Sequence, residues 1–141
     1  MHDLYHRVRV FVFRYVSGTP NYLLLRSAQG IEGFWTPLHG PIGFGEKLES
    51  AIRREVMDET GFGRPLELVD LRMPQHWVVG DEEVIEWNFG FRTVPATEPP
   101  HLDGDRWADF RWAGFADAYP TLELEADRAA LLRLHTVLHA A

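Results

Sequence analysis

Residues Gly40–Phe62 read GPIGFGEKLESAIRREVMDETGF, and this stretch decides how the rest of the chain is interpreted. Apolar spacing predicts a helix from Lys47 to Thr60, with Gly61 at the left-handed position that usually ends one. Projected at about 100° per residue, Leu48, Ala51, Ile52 and Val56 form a core-facing stripe. Glu55 and Glu59 fall inside that stripe and Asp58 lies at its margin, while Lys47, Ser50, Arg53, Met57 and Thr60 take the far face. Three carboxylates directed at the protein need protonation, arginine or metal to compensate them, because an unpaired buried carboxylate costs several kcal/mol. Spacing of i, i+3 and i+4 lets them converge, an arrangement suited to Mg²⁺ or Mn²⁺. Arg54 is the cation placed to hold them when metal is absent, and Glu46 can join from the loop side. Gly40, Gly43 and Gly45 allow the preceding backbone to bend and approach a ligand. A surface helix whose acids pair with Arg53 and Arg54 is the alternative reading of the same residues.

Working outward, His6–Tyr15 alternates with the period of a strand, Val8, Val10 and Val12 on one side and Arg7, Arg9, Phe11 and Phe13 on the other. The turn-forming link Val16–Asn21 leads into Tyr22–Arg26, which predicts a hairpin. Ser27–Gly45 carries five Gly and two Pro and reads as a long ordered loop. After the helix, Leu66–Leu71 and Val84–Arg92 read as strands separated by a polar Gly80–Glu83 turn, and Phe110–Trp112 as a short one. Leu122–Leu138 closes the chain as one further helix, with Leu124, Leu131, Leu134 and Leu138 at helical intervals.

The 141 residues suffice for a single domain, residues 1–141, and 45% apolar content is enough for a core. Fourteen basic and twenty-one acidic side chains give a net charge of −7, which argues against a nucleic-acid partner. An anionic phosphate ligand would then need a divalent cation between the two negative partners. The chain has no Cys, so disulfides, thiolate metal sites and cysteine nucleophiles are excluded. No unbroken apolar run marks a leader or a membrane span, so the expected location is cytoplasmic, without membrane partners.

Gly40, five residues, Glu46, seven residues, then Arg54-Glu55-Val56-x-Asp58-Glu59-x-Gly61-Phe62 resembles the Nudix box of the Nudix hydrolases. The resemblance implies an α/β fold, a mixed β-sheet sandwiched between helices (α/β/α). It also implies metal-dependent hydrolysis of a nucleoside diphosphate linked to another moiety, with water attacking phosphorus. Carried over by position, Glu55, Asp58 and Glu59 would bind Mg²⁺ or Mn²⁺, Glu46 would support them, and Arg54 would orient the glutamates. Glu55, Glu59 and Arg54 are thus the expected catalytic group. The layout is similar to branches acting on deoxynucleoside triphosphates, dihydroneopterin triphosphate or diadenosine polyphosphates, so the expected partner is a small nucleotide-type molecule. A homodimer is left open.

The chain departs from the family pattern in three places. Asp58 replaces the usual Glu, Gly43 stands where many members carry Glu, and Arg106 stands where an acid tends to lie six residues before the late Trp112. Glu82, Glu83, Glu86, Asp103 and Asp105 remain as distal acids able to assist. Arg26, Trp35, Gly40 and His39 are the candidates for substrate contact. A Nudix-fold domain that senses a nucleotide or ADP-ribose without turnover is the rival function, supported by Asp58 and Gly43. His135 and His139, spaced i, i+4, fit a helix C-terminus better than a metal pair.

Overall fold

A computed structural model of the chain describes residues 3–28, 34–95 and 98–140. β1 (Asp3–Val16) and β2 (Thr19–Ser27) form the expected hairpin, with a tighter link than the composition of 16–21 suggests. Ser17 and Gly18 alone make the turn, with φ of 52° and 80°, and Val16 already pairs with Thr19. Two positive-φ residues match the twist of the flanking strands, which accounts for the short connection.

The segment Ser27–Gly45, expected as loop, contains two short strands, β3 (Trp35–Thr36) and β4 (Leu38–Pro41). They pair with β2 and β1, so a long partner supplies an order that local composition does not signal. Residues 29–33 of that segment lie outside the described residues. β5 (Glu67–Asp70) and β7 (Glu82–Arg92) match the anticipated strands, and β8 (Trp107–Ala113) extends the anticipated Phe110–Trp112. β6 (Gln75–Val79) was not anticipated; it is a half-exposed hairpin partner of β7, joined to it by a turn at Gly80 and Asp81.

The eight strands make one sheet with the order β3-β2-β1-β7-β5, where β4 also pairs β1, β6 pairs β7 and β8 pairs β2. β1 and β7 are parallel from Asp3↔Glu82 to Phe13↔Arg92, and the other pairings are antiparallel. The sheet is therefore mixed. Both sides of β1 are buried, which its alternating pattern did not show. Val8, Val10 and Val12 pack with Ala51, Ile52 and Val56 of α1 (Leu48–Thr60). Phe11 and Phe13 pack on the opposite face with Ala130, Leu131 and Leu134. Helices on both faces give the expected α/β/α sandwich.

The chain ends in two helices rather than one, α2 (Phe115–Thr121) and α3 (Glu125–Ala140). Leu124, counted in the expected helical stripe, lies between them and is exposed. α2 has seven residues with Pro120 inside, too short and too interrupted to leave a periodic apolar signal.

Candidate active site

Gly61 ends α1 as its sequence position requires, with φ of 78° and its N–H donated to the Met57 carbonyl at 2.8 Å. The apolar stripe holds the helix against β1 and β4. Burying Ile52 or Val56 contributes roughly 1.5–3 kcal/mol each. The same packing draws two acids out of water: Glu55 and Glu59 are only 3% and 7% exposed. Two assignments on this helix are corrected. Asp58 is exposed rather than turned toward the protein, and no ion pair or hydrogen bond of its side chain is found among the described residues. Thr60, placed on the far face by projection, is fully buried. Its hydroxyl donates to the Val56 carbonyl at 2.6 Å and accepts the Phe62 N–H at 3.2 Å, so local bonding at the helix end hides it.

Arg54 compensates the acids, as its position implies. Its Nη1 donates to Glu55 Oε1 at 2.8 Å, and its Nε and Nη2 donate to the two oxygens of Glu46 at 2.8 and 2.9 Å. Nη2 also reaches the Pro41 carbonyl at 2.8 Å. Glu46 accepts the Gly43 N–H at 2.8 Å, which ties the loop to the helix. Hydrogen bonds from Arg54 and from Gly43 hold the Glu46 carboxyl down to about 2. Burial pushes Glu55 above the usual carboxylate range; Arg54 opposes the rise and neighbouring Glu59 adds to it. Gly40 allows this packing, since a Cβ there would overlap the Glu55 carboxylate and make it shift.

Glu59 is held by residues that the sequence reading did not assign to the site. The turn before β8 is closed by the Arg106 and Trp107 N–H groups, which donate to the Asp103 carbonyl at 3.0 and 2.8 Å. Arg106 Nη1 donates to Glu59 Oε1, Arg106 Nη2 donates to the His39 carbonyl at 2.9 Å, and Trp107 Nε1 donates to Glu59 Oε2 at 2.6 Å. The sequence carried one clue, the cationic residue in a place where related chains tend to have an acid. His39 packs edge-on against Trp107 and accepts from Arg7 Nη2 through Nδ1 at 3.0 Å. Burial first, then Arg7, Arg9 and Arg106, push the His39 imidazole down to about 4, so it is neutral near pH 7.

Of the remaining sequence candidates, Gly40 and His39 border the carboxylates, whereas Arg26 lies over the Trp35 ring at 5.9 Å and pairs with it across β2 and β3. Trp35 packs with the cluster on the α3 side of the sheet. None of the distal acids reaches Glu55 or Glu59 among the described residues. Glu86 is ion-paired to Arg9 at 3.0 Å on the α3 side, Glu83 pairs with His76, and Asp103 closes its own turn by accepting the Asp105 N–H. His135 shares a hydrogen bond of 2.7 Å with the Tyr22 hydroxyl and stacks on Phe115, which is a packing role. A cavity of about 950 Å³ opens beside Glu46, lined by Tyr5, His6, Ile42, Phe44, Leu48 and Trp87 among others, and it includes none of Arg26, Trp35, His39 and Gly40.

The donor set suits a hard divalent cation: two carboxylates one helical turn apart, both withdrawn from water, with the Glu55 carboxylate seated directly against Gly40. Among the described residues no three acidic or imidazole side chains already converge as a cage. Arg54 and Arg106 instead supply the positive charge at Glu55 and Glu59. Among the described residues no helix is long and apolar enough to cross a membrane.

Known proteins share this architecture. The chain is 32% identical over 93 residues to Nudix hydrolase 19, chloroplastic, of Arabidopsis thaliana, a match covering 64% of this chain and 20% of that protein. It thus spans about a fifth of that relative's length. A C. elegans Ap4A hydrolase, in a binary complex, superposes with a TM-score of 0.76 at 17% identity, covering 97% of this chain and 99% of the other. The E. coli dihydroneopterin triphosphate pyrophosphohydrolase does so with a TM-score of 0.74 at 16% identity, covering 96% of each chain. The family pattern described as the NUDIX domain matches residues 5–134, nearly the whole chain, and with the box at Gly40–Phe62 seated on the sheet as described, the chain belongs to the Nudix family.

Proposed function

We propose that the protein hydrolyses a phosphoanhydride bond in a small, soluble compound containing a nucleoside diphosphate, with Mg²⁺ or Mn²⁺ as cofactor. The observation that carries this reading is the pair Glu55 and Glu59, buried side by side and held by oriented donors rather than neutralised by removal. Burial of two acids adds little to stability by itself, since a hydrophobic pair of the same size is often as stable or more so, and here the arginines that hold them keep a wet edge.

Each residue has a stated task. Arg54 orients Glu55 and joins it to Glu46. Trp107 aims Glu59 through its indole N–H. Gly40 leaves room for the Glu55 carboxylate, and exposed Asp58 stands one residue before Glu59 to add a carboxylate from solvent. A divalent cation held by Glu55 and Glu59 would offset the phosphate charge and lower the pKa of water. At a net charge of −7, such mediation eases the approach of an anionic substrate.

Incubation with Mg²⁺ and a panel of nucleoside triphosphates, nucleotide sugars, dinucleoside polyphosphates and dihydroneopterin triphosphate, followed by ion-pairing chromatography, tests the reading. Metal-dependent cleavage of one class is expected, and Glu59→Gln should abolish it by orders of magnitude while the fold persists. Cleavage that survives Glu59→Gln would refute the assignment. Binding without cleavage across the panel would favour a nucleotide or ADP-ribose sensor, a reading to which the Arg106 contact with Glu59 lends support.

A further inference from the structure

We propose that Arg106 competes with the divalent cation for Glu59 and that, once displaced, its guanidinium grips a phosphate of the substrate. The inference rests on the metal-binding reading above and deepens it. Both oxygens of Glu59 are committed in the structure, Oε1 to Arg106 and Oε2 to Trp107. The two commitments differ in kind. An indole N–H is neutral and persists as an orienting donor when its carboxylate binds a cation. A guanidinium carries the same sign as the cation and occupies the oxygen that the cation needs.

The two site arginines also differ in how firmly they are held. Arg54 is fastened to two carboxylates and the Pro41 carbonyl. Arg106 has one carboxylate and the His39 carbonyl, and it leaves from the short turn that precedes β8. Its guanidinium carbon sits 5.2 Å from the centre of the Trp107 ring, so the side chain released from Glu59 stays tethered beside the carboxylates. A planar, permanently charged fork next to a metal site matches the oxygens of a phosphate. The same residue then keeps the metal-free site electrically balanced and contributes to anion binding after metal enters.

The test is Mn²⁺ titration followed by electron paramagnetic resonance of the free ion, on the wild-type protein, Arg106→Met, Trp107→Phe and Glu59→Gln, with circular dichroism as the control for folding. Arg106→Met keeps the apolar stem over Trp107 and removes the charge; Arg106→Gln replaces it if the Met variant does not fold. The expected result is Mn²⁺ binding tightened about 5-fold by Arg106→Met, the size of one modest ion pair. Trp107→Phe should weaken binding, and Glu59→Gln should erase the gain when combined with Arg106→Met. Calorimetric titration of Mn²⁺-loaded protein with inorganic pyrophosphate should show weaker binding in Arg106→Met. Unchanged or weaker Mn²⁺ binding in Arg106→Met, while Glu59→Gln still weakens it in the wild type, would overturn the competition but leave the metal site intact. Pyrophosphate binding that is not weakened would overturn the phosphate-gripping role. Absence of Mn²⁺ binding in every form, Arg106→Met included, would overturn this inference and the proposed function together.

Discussion

Two clusters of arginine and carboxylate lie on opposite faces of the sheet. On the α1 face, Arg54 and Arg106 hold Glu46, Glu55 and Glu59, and both arginine side chains are 38% exposed. On the α3 face, Arg9 binds Glu86 at 3.0 Å and Asp127 at 2.8 Å, and none of these three side chains is more than 8% exposed. The chemistry is alike and the access is not. A cation that retains a wet edge can be exchanged for another cation, whereas a sealed one acts as part of the core. The sealed cluster joins β1, β7 and α3, and Gln75 extends it by accepting from Arg9 at 3.3 Å and donating to the Ala126 carbonyl at 3.2 Å. It fixes the sandwich; the open one serves a ligand.

Removing the central cation of the sealed cluster should have the largest effect. Arg9→Met strands two buried carboxylates, and urea unfolding should show a loss of about 3–5 kcal/mol. A loss below about 1 kcal/mol would mean that water reaches the cluster and that the contrast in access is false. The open cluster should instead respond in function. Gly40→Ala pushes a Cβ into the Glu55 carboxylate and should lower turnover roughly 10–100-fold, with a smaller change in the melting temperature. Equal damage to folding and turnover would show that Gly40 is needed for the sheet rather than for the acid.

The smallest effect concerns pH. Burial, reinforced by Glu86 and opposed by Arg9, pushes the Asp127 carboxyl from its ordinary 3.8 up to about 6. The folded state therefore holds this proton more tightly than the unfolded chain does. Stability from this group is greatest below about 4 and declines as pH rises to about 6. Asp127→Asn should remove that decline, flattening the unfolding free energy read from urea titrations across the interval. A slope unchanged in Asp127→Asn would assign it to other carboxyls.

What the sequence revealed follows from how local each signal is. The helix Leu48–Thr60, its end at Gly61 and the pairing of Arg54 with Glu46 and Glu55 are all encoded within the box, where spacing alone brings groups together. Arg106 and Trp107 reach Glu59 from 47 and 48 residues away, through a turn whose position is set by β8 pairing with β2. Charge reversal at position 106 was visible, but its partner was not. Burial on both sides of β1 was equally hidden, because Arg9 reads as a solvent-facing residue until Glu86 and Asp127 are seen to enclose it. β6 and α2 lacked a periodic apolar face and owe their order to neighbours.

The parallel pairing of β1 with β7 also bears on how the chain folds. Asp3 meets Glu82 and Phe13 meets Arg92, so the middle of the sheet closes a loop of 79 residues. Contacts that distant are slow to form, since the intervening chain loses its freedom before the pairing rewards it. The entire box lies inside that loop. During synthesis α1 and its acids emerge well before the strand that completes the floor beneath them, and β1 waits with one long edge unpaired until β7 arrives. An aggregation-prone interval is thus built into the order of translation.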